Sequence, residues 1–283
     1  MKDILEEIIA DKRMELALAV RDIPLDVLQG LARQRIRQDG APKLRSMKQC
    51  LANSRSGIIA EFKRKSPSKG WIHDDATPEQ VVPAYAEGGA AACSILTDWK
   101  YFGGRLEYLQ RVRGQVNLPL LRKEFIIDEY QLYESRLAGA DAVLLIAADL
   151  EPSQYSELLR VAHTLGLEVL LEIHDPAELS YLQSGVPDML GVNNRSLGTF
   201  HTDVRHSFEV ADRMREAVQQ LGLDRENAPV LVSESGIGNP DTVKELRRAG
   251  FRGFLIGECF MKAPDPGQAL KDFVKAIEED DEN

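Results

Sequence analysis

Cysteine, aromatic residues and positive charge are all in short supply in this chain. Its 283 residues include only Cys50, Cys93 and Cys259, an odd number with no CxxC pair. That pattern argues against a disulfide framework or a structural zinc site and for a reducing, cytoplasmic compartment. Cys93 and Cys259 fall within apolar runs, where an inert, buried thiol is expected. Lysine and arginine number 35 against 45 acidic residues, a formal net charge of -10. Non-specific binding to nucleic acid or to an anionic membrane needs a basic surface, so neither is expected. An anionic small molecule stays possible if the few cations are gathered in one place. No run is long enough to span a bilayer, and the opening MKDILEEIIADK lacks the apolar core of a signal peptide. Metal-ligand spacings such as HExxH are missing, as is a GxGxxG after the first strand-like run. Neither a metal nor a dinucleotide cofactor is therefore expected.

What the chain does contain is a regular alternation. Ile4, Leu5, Ile8, Ile9 and Leu16 outline an amphipathic helix that Pro24 ends, and a second helical stretch covers about 25–37 before a polar segment to Ser56. From Gly57 onward eight short apolar runs recur: GIIAEFK (57–63), AACSILT (91–97), PLLRKEF (119–125), AVLLIA (142–147), EVLLEI (168–173), DMLGVNN (188–194), PVLVSES (229–235) and GFLIGEC (253–259). Helical patterns separate them, several opening on a capping residue (Thr77, Asp128) and closing on Gly. Runs that are apolar on both faces belong to buried parallel sheets. Eight such units predict an α/β fold, a (β/α)8 TIM barrel with an extra N-terminal helical segment. A doubly wound open sheet is the alternative. The expected division is a helical extension over 1–56 packed on the barrel, the barrel over 57–275 and a solvated acidic tail over 276–283.

In such a barrel the chemistry sits at the carboxyl ends of the strands. The first run ends with Glu61 and Lys63, two residues apart and so on one side of the strand. The third run carries Lys123, the fifth Glu172 and the sixth Asn193 with Arg195 just beyond; the seventh ends in Ser233-Glu234-Ser235-Gly236 and the eighth in Gly257-Glu258. Buried charges cost several kcal/mol each unless paired. Their convergence therefore indicates acid–base chemistry, or else a structural ion-pair plug. Loops after the last two strands commonly bind phosphate through backbone N–H groups. Ser235-Gly236-Ile237-Gly238 and Gly257 are small enough for that approach, with Ser66, Lys63 and Lys65 able to add donors from across the mouth. The histidines, His174 among them, are expected to be solvated or to stand behind a site residue. KYFGG (100–104) reads equally as a loop anchored by its rings or as a stacking wall for an aromatic substrate.

AEFKRKSPSKG (60–70), ILTDWKYFGG (95–104), LPLLRKEFIID (118–128), AGADAVLLIAA (138–148), LEVLLEIHD (167–175), GVNNRSL (191–197), LVSESGI (231–237) and FLIGECFM (254–261) together resemble the indole-3-glycerol phosphate synthase family of tryptophan biosynthesis. The resemblance runs from the first helix almost to the tail. It implies a lyase that converts 1-(o-carboxyphenylamino)-1-deoxyribulose 5-phosphate to indole-3-glycerol phosphate, carbon dioxide and water without a cofactor. It places catalytic roles on Glu61, Lys63, Lys123, Glu172 and Asn193. Phosphate contacts fall on Ser66, Gly236 and Gly257, and the anthranilate ring falls against Phe102, Phe125 and Leu144. Arg195, Glu234, Ser235 and Glu258 complete the substrate-binding set. Some members have Ser where this chain has Glu258, so its carboxylate is expected to turn away from phosphate. The chemistry asks for an acid at the ribulose carbonyl, assigned to Lys123 with a lowered pKa among other cations, and a base, assigned to Glu172. Lys63 is the second acid or the partner of the substrate carboxylate, Glu61 orients a lysine, and Asn193 hydrogen-bonds the substrate. A Schiff-base aldolase, a sugar-phosphate isomerase or a non-catalytic phosphate-binding barrel are the other readings of the same residues. Association with other tryptophan-pathway enzymes is a further expectation of the resemblance.

Overall fold

The computed structural model describes residues 4–37, 44–196 and 201–279. Leu197, the TF of TFHTDVRH and the last four residues of the acidic tail lie outside that range. Each of the eight apolar runs forms a strand: β1 (Ile58–Phe62), β4 (Ala92–Leu96), β5 (Leu120–Lys123), β6 (Ala142–Ile146), β7 (Glu168–Ile173), β8 (Met189–Asn193), β9 (Val230–Glu234) and β10 (Gly253–Ile256). All pair in parallel with their neighbours, and β1 pairs with both β4 and β10, so the sheet closes into a barrel. Closure abolishes sheet edges and decides against the open doubly wound alternative. Two further strands, β2 (Lys65–Ser66) and β3 (Gly70–Trp71), make a small antiparallel hairpin in the loop after β1.

Alternation along the strands builds two cores. One face of each strand points into the barrel, where Ile59, Leu121, Leu144, Leu170, Met189, Val232 and Leu255 pack together. The other face carries residues such as Ile58, Ile95, Val143, Leu171 and Phe254 outward against the helices. Those helices are α4 (Pro78–Glu87), α5 (Trp99–Phe102), α6 (Glu107–Arg113), α7 (Glu129–Ala138), α8 (Pro152–Thr164), α9 (Arg205–Gln220), α10 (Pro240–Arg248), α11 (Glu258–Met261) and α12 (Pro266–Glu278), with a 3-10 segment over Pro176–Gln183. Asp128 closes a full capping box on α7, whereas Thr77 stands at the start of α4 without a side-chain capping bond. Cys93 is buried as expected, but Cys259 lies past the end of β10, on α11, and is exposed. The final helix carries Ile277 into the core, so residues 276–278 are helical.

Three helices precede the barrel: α1 (Ile4–Asp22), α2 (Leu25–Arg37) and α3 (Met47–Asn53). The last falls where the sequence reads only as polar. Its Met47 and Leu51 enter the inner core and plug the amino end of the barrel. Ser46 caps α3, and the Glu168 carboxylate accepts both the Ser46 hydroxyl and the Lys48 N–H. At the opposite end α1 lies over the mouth. Its Lys12 ammonium is buried and reaches Asp98 and Glu124, each at 3.2 Å. Among the described residues no helix is long and apolar enough to cross a membrane.

Candidate active site

The carboxyl ends of the strands surround a cavity of about 650 Å³ whose lining includes Ile4, Leu5 and Ile8 of α1. Within it three groups of side chains meet. The first is ionic. Lys123, at the last position of β5, donates to Glu172 of β7 at 3.0 Å and to Glu234 of β9 at 2.9 Å. The same Glu172 carboxylate accepts the Asn193 amide at 3.1 Å. Across the mouth Lys63 and Glu61 form their own ion pair at 2.6 Å. Gly191 and Gly257 make this possible: a Cβ on either would collide with the carboxylate of Glu234 or Glu61.

The pKa of Lys123 is raised, contrary to expectation. Burial disfavours its charge, but Glu172, Glu234 and Glu61 together outweigh burial. The reason is that its neighbours are carboxylates contributed by other strands, not cations. The two carboxylates divide. Burial opposes ionisation of Glu172, yet Lys123 and His174, with the Asn193 hydrogen bond, hold it below the usual range. Glu234 goes the other way: burial, then the Glu172 charge, push it up despite Lys123. Like charges sharing one site separate in this fashion.

The second group suits an anion. Ser235 (φ 69°) and Gly236 (φ 78°) turn the chain through two successive left-handed residues after β9, and the Asn194 amide holds the Ser235 carbonyl at 3.0 Å. A non-glycine residue in that region stores strain, which is typical of binding turns. The buried Ser66 hydroxyl has no hydrogen-bond partner and belongs to the same lining. The Glu258 carboxylate pairs with Lys69, with Lys262 at 2.6 Å and with Arg195 at 3.8 Å. Burial works against that carboxylate, but Lys262 and Lys69 pull it down to about 2. Arg195 also donates to Ser68 at 3.1 Å.

The third group is apolar. Phe102 and Phe125 stand with ring centroids 6.1 Å apart, and Leu144 joins them in the cavity wall. Phe102 faces the cavity, while the Tyr101 hydroxyl anchors to Glu7 at 3.1 Å and to Asp11 on α1.

Comparison with known proteins fits this geometry. A family model described as indole-3-glycerol phosphate synthase matches residues 5–273. The chain belongs to the indole-3-glycerol phosphate synthase family. A relative with that name from Bacteroides thetaiotaomicron (strain ATCC 29148) is 56% identical over 98% of this chain and 100% of its own. Another from Paracidovorax citrulli (strain AAC00-1) is 44% identical over 95% of this chain and 98% of its own. Among solved structures, a chain from the tryptophan synthase a2b2 complex of Pyrococcus furiosus aligns with TM-score 0.56. It covers 79% of this chain and 98% of that one at 13% identity, a likeness of fold. Members of the synthase family are carboxy-lyases, and the aldolase, isomerase and scaffold readings are not favoured by these relationships.

The expected site residues line this one cavity with two exceptions: Glu234 reaches it through Lys123, and Lys65, expected as a donor across the mouth, instead gives its ammonium to the Lys100 carbonyl at 2.7 Å. Sequence reading missed Lys12, Asp98, Glu124, Lys69 and Lys262. Asp98 and Glu124 follow strand ends, which was a usable signal; Lys12 carried none. Asp98 also caps α5, which bears Phe102, and the Glu124 carboxylate accepts the Phe125 N–H at 3.0 Å. The buried Lys12 ammonium therefore ties α1 to both aromatic walls. Burial opposes its charge, but Glu124 and Asp98 prevail and raise its pKa. Among the described residues no cluster of three or more His, Cys, Asp or Glu is placed to hold a metal ion.

Proposed function

We propose that this mouth closes the pyrrole ring of 1-(o-carboxyphenylamino)-1-deoxyribulose 5-phosphate, giving indole-3-glycerol phosphate, carbon dioxide and water. The observation that carries the reading is the position of Lys123 between Glu172 and Glu234, in one cavity with the Ser235–Gly236 turn and the Phe102–Phe125 pair. The aryl ring would lie against Phe102, Phe125 and Leu144. Its phosphate would take the Gly236 and Gly257 backbone, Ser66 and the Arg195 guanidinium.

In this reading the Lys123 ammonium donates to the ketone oxygen as the aryl carbon attacks, and the oxygen leaves that step as a hydroxyl. The carboxylate bond to the ring then breaks, and its electrons neutralise the cationic ring as carbon dioxide departs. Loss of the hydroxyl as water needs one proton delivered and one removed. Lys63 delivers it, or alternatively pairs with the substrate carboxylate in the earlier step. Glu172, kept ionised by its neighbours, removes the other. Glu61 holds Lys63 in position, and Asn193 orients Glu172 or a substrate hydroxyl. A raised Lys123 pKa keeps the amine protonated, which opposes a Schiff-base nucleophile, and it makes the ammonium a weaker acid than a lowered pKa would.

The reading extends to organisation and setting. Residues 1–56 act as an extension that completes the mouth, 57–275 as the barrel and 276–283 as its acidic end. Three free thiols support a cytoplasmic setting, and association with other enzymes of tryptophan biosynthesis would be tested by co-purification. The deciding experiment mixes the protein with the carboxyphenylamino-deoxyribulose phosphate and follows indole fluorescence. A rising signal supports the proposal; tight binding without any signal overturns it.

A further inference from the structure

Glu172 lies near the end of β7 and His174 two residues on, so both side chains leave the backbone on the same side. His174 Nε2 stands 3.3 Å from Glu172 Oε1, the oxygen that also accepts the Asn193 amide. The other carboxylate oxygen takes Lys123. The imidazole is only 12% exposed, and neither ring nitrogen has a partner that satisfies hydrogen-bond geometry. Its backbone is held firmly. The His174 N–H donates to Glu178 at 2.6 Å, and His206 Nε2 stands 2.9 Å from the His174 carbonyl. The charged and titratable groups that meet residue 174 are Glu172 at its ring, Glu178 and His206 at its backbone N–H and carbonyl, and Asp175 next in the chain. Beyond the carboxylate stand Lys123 of β5 and Glu234 of β9. The imidazole is only slightly exposed and stands beside the side chain read above as the base, yet the proposed reaction gives it no task.

We propose that His174 is a positioning residue whose protonation state sets the strength of Glu172 as a base. Neutral, the imidazole leaves Lys123 as the one full positive charge in contact with the Glu172 carboxylate. Protonated, it adds a second, and a carboxylate between two cations is a poor proton acceptor. Imidazole is the side chain whose ordinary pKa of about 6.5 puts such a change between pH 5 and 8. Turnover should therefore fall on the acid side with an ionisation that belongs to residue 174. Ordinary carboxylate titration would put that fall lower. The inference rests on Glu172 acting as the base.

The test has two arms. In the first, kcat is measured from pH 5 to 9 for the protein and for His174→Asn and His174→Gln. Neither amide takes up a proton in this range. The expected result is an acid limb that disappears from the measured range in both variants, with KM within about twofold of the parent. An unchanged limb overturns the proposal. The second arm needs no activity. The imidazole of His174 is titrated by NMR in the parent and in Glu172→Gln, its signal assigned by its loss from His174→Asn or, should that variant not fold, by substituting the other four histidines. Removing the carboxylate should lower the His174 midpoint by about 0.5 unit or more, because an adjacent anion favours the imidazolium. An unmoved midpoint overturns the pairing itself. Absence of turnover in the parent would instead strike the base reading, and the NMR arm would still decide whether the two groups are coupled.

Discussion

Two sets of buried charges occupy opposite ends of this barrel, and they are built to different standards. At the amino end Asp141 is fully buried just before β6. One carboxylate oxygen accepts the Arg45 N–H at 2.7 Å and an Arg113 nitrogen at 2.8 Å. The other accepts the Leu120 N–H at 2.8 Å and the second arm of the Arg113 fork. Four donors on two oxygens leave nothing over. At the carboxyl end the accounts stay open: Glu234 Oε1 and the Ser66 hydroxyl are buried without a hydrogen-bond partner. The comparison separates two kinds of buried polar group: the Asp141 carboxylate is filled by protein donors and holds the fold, whereas the Ser66 hydroxyl on the cavity lining and Glu234 Oε1 behind Lys123 are not filled.

The largest effect should come from the closed set. Asp141→Ala strands the Arg113 guanidinium and two backbone donors, and should cost about 3–5 kcal/mol of stability in urea unfolding. The fraction that folds should keep its kcat. Lys123→Ala should do the reverse, lowering kcat about 10²- to 10³-fold in the fluorescence assay with a smaller change in KM. Comparable stability losses in the two variants, with comparable activity, would break the distinction. Gly236→Ala is a milder probe of the anion cradle. Its φ of 78° disfavours any side chain, and a Cβ would stand 2.8 Å from Thr202 Cγ2. KM should rise about tenfold with kcat nearly preserved; a loss confined to kcat would remove the phosphate role.

The smallest effect is a slope in pH. Glu234 is shifted upward from 4.5 to about 8. Between those values the native protein holds a proton that the unfolded chain has released. The native state is the one that binds more protons, so stability contributed by this site falls as pH rises through that window. Glu234→Gln removes the titration, and its melting temperature should decline less than the parent's between pH 5 and 8. Parallel declines would mean that Glu234 ionises normally and that its open valence is no mark of function.

How much of this was legible beforehand follows from where each signal lies along the chain. The eight strands announce themselves locally as short apolar runs, and Glu61, Lys63, Lys123, Glu172, Asn193 and Glu234 stand at or near the ends of five of them. What escaped depends on distant partners. Lys123 was expected among cations, but the groups that set its pKa lie 49 and 111 residues away. Lys12 meets Asp98 across 86 residues, and nothing on its own helix marks it as buried. The short helix α3 escaped for another reason. Seven residues with two apolar anchors, Met47 and Leu51, give too little periodicity to stand out from a polar linker.

The cavity wall includes Ile4, Leu5 and Ile8 at one end of the chain and Gly257, Glu258 and Lys262 near the other. On a ribosome the first of these emerges more than 250 residues before the last. The apolar face of α1 is therefore made long before the mouth it covers exists. The β1–β10 pairing and the whole site need residues from both regions, so no nascent chain that stops short of β10 presents either.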